Sequence, residues 1–302
     1  MRYLDPKADL TIKRVFGEHP DLVMSLLNAL LPLEPGQEVT EIEYLPAELV
    51  PDNPLRKFNI LDVLCRDKVG CQFIVEIQVL WSPEFRHRMQ LDASKACVCQ
   101  TAIKVQDGLL QSLYSLNLVN EVSEPELEGY YHYYPLVYVE HTERVIEGLH
   151  LIFVELPKFT PHNYSEKKMQ VLWLRYLTEI NEHTREVPEE LLANPEVRKA
   201  VNALEESAFT DAQLAGYEKF WDIISVEKTL YNSAERRGLK KGLEEGLEKG
   251  LEEGLEKGRE EGLKEGERRN QIKTARNLKK MGLTVEMIVE ATGLSSTEIE
   301  NL

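Results

Sequence analysis

The chain has 302 residues and a formal net charge of −16, enough length to bury one sizeable core with appendages. The charge is uneven, −4 over residues 1–120, −12 over 121–235 and zero over 236–302. The acidic middle is therefore a poor nucleic-acid surface, since duplex affinity comes largely from Lys and Arg releasing counterions, and any such contact is expected from the first 120 residues or the tail. No apolar run approaches the roughly 18 residues of a membrane span, and the start MRYLDPKADLTIKRV is too charged for a signal peptide, so no membrane partner and a cytoplasmic location are expected. Cys65, Cys71, Cys97 and Cys99 lack the CxxC and His partners of a zinc site and read as reduced, structural residues.

In chain order, residues 9–31 carry helical apolar spacing (Ile12, Val15, Phe16, Leu22, Val23, Leu26, Leu27, Leu30) broken near Gly17 to Pro20, which predicts two helices. The stretch NILDVLCRDKVGCQFIVEIQ, residues 59–78, predicts a β-hairpin turning at Asp67 to Gly70, where Gly accepts φ > 0. Ser82 and Pro83 then open a long helix as N-cap and first helical residue, ending before Gly108. Segments 109–119, 133–140 and 149–156 have strand composition. Helix, strands, helix, strands in that order predict an α/β fold. Residues 165–235 read as helical, with Trp173, Tyr176, Phe220 and Trp221 as material for a second small core.

From Gly238 to Gly266 a glycine recurs every fourth residue, eight in all. Each costs a helix roughly 1 kcal/mol relative to Ala, whereas i,i+4 charge pairs return about 0.3–0.5 each, so the isolated helix is expected to be marginal. This segment is either a solvated linker or an assembly surface where glycines permit close approach. The last thirty residues predict three short helices: Gly282 ends the first, Thr284 caps the second, and Ser295 with Glu298 forms a capping box. The outline is helix-turn-helix-like, but the last helix offers Glu298 and Glu300 and no Arg or Lys for phosphate or base contacts.

The chemistry sits on the hairpin. Side chains alternate across a strand, so Glu76 and Gln78 share a face, and any register pairing Asp62 with residue 74 or 76 places Asp62 there too. Two ionised carboxylates about 5–7 Å apart repel unless a cation lies between them. A hard divalent ion such as Mg²⁺ (or Mn²⁺) suits Asp62, Glu76 and the backbone carbonyl of Ile77, with waters and substrate phosphate completing its shell. That chemistry is phosphodiester hydrolysis. The competing structural role is an ion pair of either acid with Lys13, Arg86 or Arg88. The histidines form no HExxH, and no phosphate loop is present, which removes zinc-peptidase and ATP-driven readings.

DPKADLTIKRVFG, LDVLCRDKVGCQFIVEIQ, the FRHR helix start and HLIFVELPKF together resemble the recombination-promoting nuclease and putative transposase family of the PD-(D/E)XK nuclease superfamily. The resemblance implies a restriction-endonuclease-like mixed sheet flanked by helices over residues 1–160. A helical region (161–235), the Gly-Leu-Glu repeat helix or linker (236–269) and a small helical module (270–302) would follow it. It implies a DNA endonuclease linked to recombination or mobile DNA, with Asp62 and Glu76 as the metal-binding acids and Gln78 where the namesake motif has Lys. A Gln can orient groups only through neutral hydrogen bonds. Lys13 matches the family's N-terminal lysine, a candidate phosphate contact. The tyrosine that often follows the arginine of the post-hairpin helix is missing from RMQLDASKA. The other function class is a non-catalytic interaction protein of the same fold, forming homo-oligomers through residues 238–266.

Overall fold

The computed structural model describes residues 2–46, 48–49, 59–60, 62–102, 111–161 and 168–302; the expected helix end before Gly108 and helical start at 165 lie outside them. The chain divides into two compact units, Met1–Lys228 and Thr229–Leu302. Among the described residues no helix is long and apolar enough to cross a membrane.

The first unit is built on a six-stranded mixed sheet. Its strands are β1 (Glu43–Tyr44), β4 (Val63–Arg66), β5 (Gln72–Gln78), β6 (Leu113–Val119), β7 (Tyr131–Tyr138) and β8 (His141–Glu155), in the order β1-β4-β5-β6-β8-β7. β5 is antiparallel to β4 and parallel to β6, and β6 is parallel to β8. The hairpin between β4 and β5 turns where the sequence predicts. Gly70 has φ +92°, and Asp67 Oδ1 accepts from the Val69 and Cys71 N–H groups at 3.0 and 2.9 Å. The sequence reading of one unbroken strand from Asn59 needs correction. Asn59–Ile60 (β3) pairs instead with Glu48–Leu49 (β2) in a separate two-stranded sheet, and Asp62 is a bend leading into β4.

Both faces of β5 are covered, as its near-continuous apolar run requires. Phe73, Val75 and Ile77 face the larger core with α2 (Pro20–Leu30), α4 (Lys168–Glu179) and α6 (Pro195–Asn202). The α2 stripe Leu22, Val23, Leu26, Leu27 and Leu30 is fully buried there, at the 3–4 residue spacing of one helix face. Trp173 and Tyr176 lie in this same core, not in a second one, because α4 packs on α2. Only Phe220 and Trp221 join a small satellite cluster, with Leu4, Ala8, Phe209 and Tyr217. The opposite face of the sheet carries α3 (Pro83–Ala102), whose Phe85, Met89, Ala93 and Ala96 pack on Leu64, Ile74, Leu113, Val119 and Phe153.

The predicted pair of N-terminal helices is α1 (Asp9–Ile12) and α2, joined by a wide π turn over Lys13–Gly17. Helix α7 (Asp211–Lys280) includes the whole glycine repeat. In the second unit, Ala275, Ile288, Leu294 and Ile299 form a small core with α8 (Val285–Thr292) and α9 (Ser296–Glu300). The Ser295–Glu298 capping box is formed, and Gly282 and Gly293 take φ +80° and +68° at helix ends. The first of the three expected short helices is thus the end of a much longer one.

Candidate active site

The register of the hairpin builds the site. Val63 lies opposite Val75, so the next position outward sets Asp62 opposite Glu76, on the face that Leu64 and Ile74 present to α3. There the two residues clasp each other. The Asp62 N–H donates to Glu76 Oε1 at 3.3 Å, and the Ile77 N–H donates to Asp62 Oδ2 at 2.8 Å. Strand geometry turns the carbonyl of Ile77 to the same side as its N–H, toward Asp62. Glu76 is buried and Asp62 half-buried.

These carboxylates are held in an environment hostile to charge. Burial, and after it Asp9, push the Asp62 carboxyl up to about 7, against the opposing Ile77 N–H and Lys13. Burial and the neighbouring Asp62 push Glu76 well above the usual carboxylate range. The neighbour of Glu76 on β6 is Asn117, a neutral amide bonded to Ser115 O and Ile152 O. Among the described residues no Lys or Arg lies within ion-pair distance of either acid, and the three cations named as alternative partners are engaged elsewhere: Lys13 with Asp9 at 3.0 Å, Arg86 with Glu124, and Arg88 with Gln78.

The acids open into a cleft of about 350 Å³ lined by Lys7, Asp9, Asp62, Glu76, Gln78 and Arg88 among others. Gln78 is there as predicted, but both ends of its amide are committed. Its Nε2 donates to Leu80 O at 2.6 Å, and its Oε1 accepts from Arg88 Nη2 at 2.9 Å. Lys13 is exposed and pairs with the cleft residue Asp9. Lys7 is buried, tied to Asp5 Oδ1 at 2.9 Å and Leu177 O at 3.0 Å. The sequence did not place Asp9, Lys7 and Asp92 at the site, and offered Arg88 there only as an ion-pair partner of the acids. Asp92 sits on the buried stripe of α3 between Met89 and Ala96, and an acid inside an otherwise apolar helical stripe was the available signal.

Among the described residues no three His, Cys, Asp or Glu side chains are grouped to hold a metal by themselves. Two hard carboxylates beside a backbone carbonyl instead fit an ion such as Mg²⁺, which keeps several waters and takes oxygen from substrate phosphate. The donor set, and the cost of two like charges sharing one partly buried place, agree with such an ion.

The first unit is thus an α/β protein that brings an acid from the bend before β4, and an acid and an amide from β5, into one cleft. Residues 6–226 match the family described as PD-(D/E)XK nuclease family transposase, and the chain belongs to that family. The match nearly coincides with the first compact unit and includes α4 and α6 as well as the sheet. No curated protein and no solved structure gives a significant match.

Proposed function

We propose that the protein is a Mg²⁺- or Mn²⁺-dependent DNA endonuclease that hydrolyses phosphodiester bonds, acting on cytoplasmic DNA in recombination or the movement of mobile elements. Family membership supports the nuclease class. The observation that carries the reading is the reciprocal clasp of Asp62 and Glu76, two acids brought together in a cleft with no Lys or Arg within ion-pair distance of either among the described residues. Such a pair is costly to bury and is usually retained where function needs it.

Asp62, Glu76 and the Ile77 carbonyl would hold the ion. When bound, a divalent cation supplies a water of lowered pKa and neutralises charge on the scissile phosphate. The chain's own part is to keep the two acids adjacent by strand register and to present cationic groups to the phosphate from the cleft wall. Lys13 serves as an outer phosphate contact, exposed at the rim through its pair with Asp9.

The test is nicking of supercoiled plasmid by the purified full chain with Mg²⁺. Asp62→Asn and Glu76→Gln should each abolish nicking that the unmodified protein performs. Retention of full activity by both variants would remove the reading.

A second role is supported by the repeat itself. Leu239, Leu243, Leu247, Leu251, Leu255 and Leu263 are each 61–75% exposed on α7, apolar side chains that wind around the helix by about 40° per step and are left uncovered in the single chain among the described residues. Assembly of copies through residues 238–266 would cover them, and a protein using the fold only for such assembly is the alternative to catalysis. Truncation after Ala234 should lower the number of copies per particle in solution; an unchanged oligomer would exclude assembly through the repeat.

A further inference from the structure

We infer that Arg88 supplies the phosphate-binding positive charge that the lysine of the superfamily motif would bring, and that Gln78 is a positioning residue that aims it. The inference rests on the nuclease reading for its substrate, and it begins from a deficit. An acidic cleft that must take up a polyanion needs a cation close to its acids, yet the strand position two residues after Glu76 offers only a neutral amide.

Of the two cations lining the cleft among the described residues, Lys7 is buried, ion-paired with Asp5 and bonded to a backbone carbonyl. Arg88 differs. It is exposed, and no carboxylate among the described residues lies within ion-pair distance of it. Its guanidinium lies over the Phe85 ring, 5.0 Å from the centroid, and one of its five N–H donors is taken by Gln78 Oε1. A neutral acceptor orients a guanidinium without cancelling its charge. The remaining fork suits a phosphate bidentately.

Gln78 is suited to aiming because it is itself anchored. Its Nε2 is fixed by Leu80 O, so its Oε1 has one direction, toward Arg88. The ring of Phe85, buried against Val119 and Phe153, supports the guanidinium from below. A Lys at position 78 would bring the charge directly; here a strand amide and a helix arginine divide the task.

The experiment measures binding of a short DNA duplex to the full chain in EDTA, by fluorescence anisotropy over a range of salt, so the readout is independent of cleavage. Arg88→Ala is expected to weaken binding about tenfold, on the scale of one lost charge-assisted contact, and to lower the slope of log affinity against log salt by about 1. Arg88→Lys should keep the slope near that of the unmodified protein, which separates loss of charge from loss of fold. Gln78→Ala should weaken binding alone, but add nothing to Arg88→Ala, because the two act through one contact. Gln78→Lys placed on Arg88→Ala should restore the slope by returning the charge from the strand.

An Arg88→Ala protein with unchanged affinity and slope would overturn the assignment of Arg88. Additive losses in the double variant would overturn the positioning role of Gln78. A lost slope together with no metal-dependent nicking by the unmodified protein would leave the DNA contact standing and remove only the hydrolytic reading.

Discussion

Replacing Asp62 by Asn removes a charge that the fold holds at a loss, so the metal-free protein should become more stable. Burial and Asp9 push this carboxyl up to about 7, against about 4 in an unfolded chain. Below about pH 4 the group is protonated in both states and contributes nothing. Between about pH 4 and 7 the unfolded chain gives up the proton while the folded one retains it, so stability falls as pH rises; above 7 the loss is complete. At 1.36 kcal/mol for each factor of ten, the gap corresponds to roughly 4 kcal/mol, and partial exposure of Asp62 lowers it to about 2–4. Asn keeps an oxygen for the Ile77 N–H, so charge is the main change. The assay is urea unfolding in EDTA at pH 5 and pH 8. The variant is expected to exceed the unmodified protein by about 2–4 kcal/mol at pH 8 and by clearly less at pH 5. A variant of equal or lower stability at pH 8 would refute the reasoning, because it would mean that the ionised carboxylate is already compensated.

Both acids must give up their protons to hold the ion, so Mn²⁺ binding followed by calorimetry should strengthen as pH rises from about 5 through 7, whereas a flat profile would show that Asp62 is not a ligand. Glu155 is a contrasting acid; although burial opposes ionisation, Lys158, Ser123 and the Glu124 N–H hold its carboxyl down at about 2. Its stabilisation is present above about pH 4 and lost as pH falls through 2, and Glu155→Gln should cost about 2–3 kcal/mol in thermal unfolding at pH 7 by leaving Lys158 uncompensated. In α7, a Cβ added at Gly250 or Gly254 would meet nothing within 4 Å, so replacing both by Ala should raise helix content by circular dichroism, each substitution adding about 0.5–1 kcal/mol. A fall in solution mass in that variant would show that assembled copies use the glycines for close approach.

Much of the first unit could be read from the chain because its signals are local. The hairpin turn carries its own chemistry in Asp67 and Gly70, and Asp62 and Glu76 meet because a period of two and a short turn leave few registers. Pro83 and Ser82 mark the start of α3 for the same kind of reason. Other features depend on tertiary partners and left no local trace. The break at Asp62 arises because Asn59–Ile60 finds β2. Residues 141–146 are exposed at the start of β8, where no burial imposes alternation, so the sequence showed no strand there. Trp173 and Tyr176 revealed burial but not against which helix. Gln78 was legible as a site residue, yet its commitment to Leu80 and Arg88 depends on how α3 lies on the sheet, which no spacing within the hairpin encodes.

The central claim is that Asp62 and Glu76 grip one divalent ion together, and the most direct measurement is a Mn²⁺ titration of the full chain at pH 8 by calorimetry. One site per chain in the first unit is expected, and both Asp62→Asn and Glu76→Gln should remove it. Unaltered stoichiometry and affinity in both variants would contradict the claim.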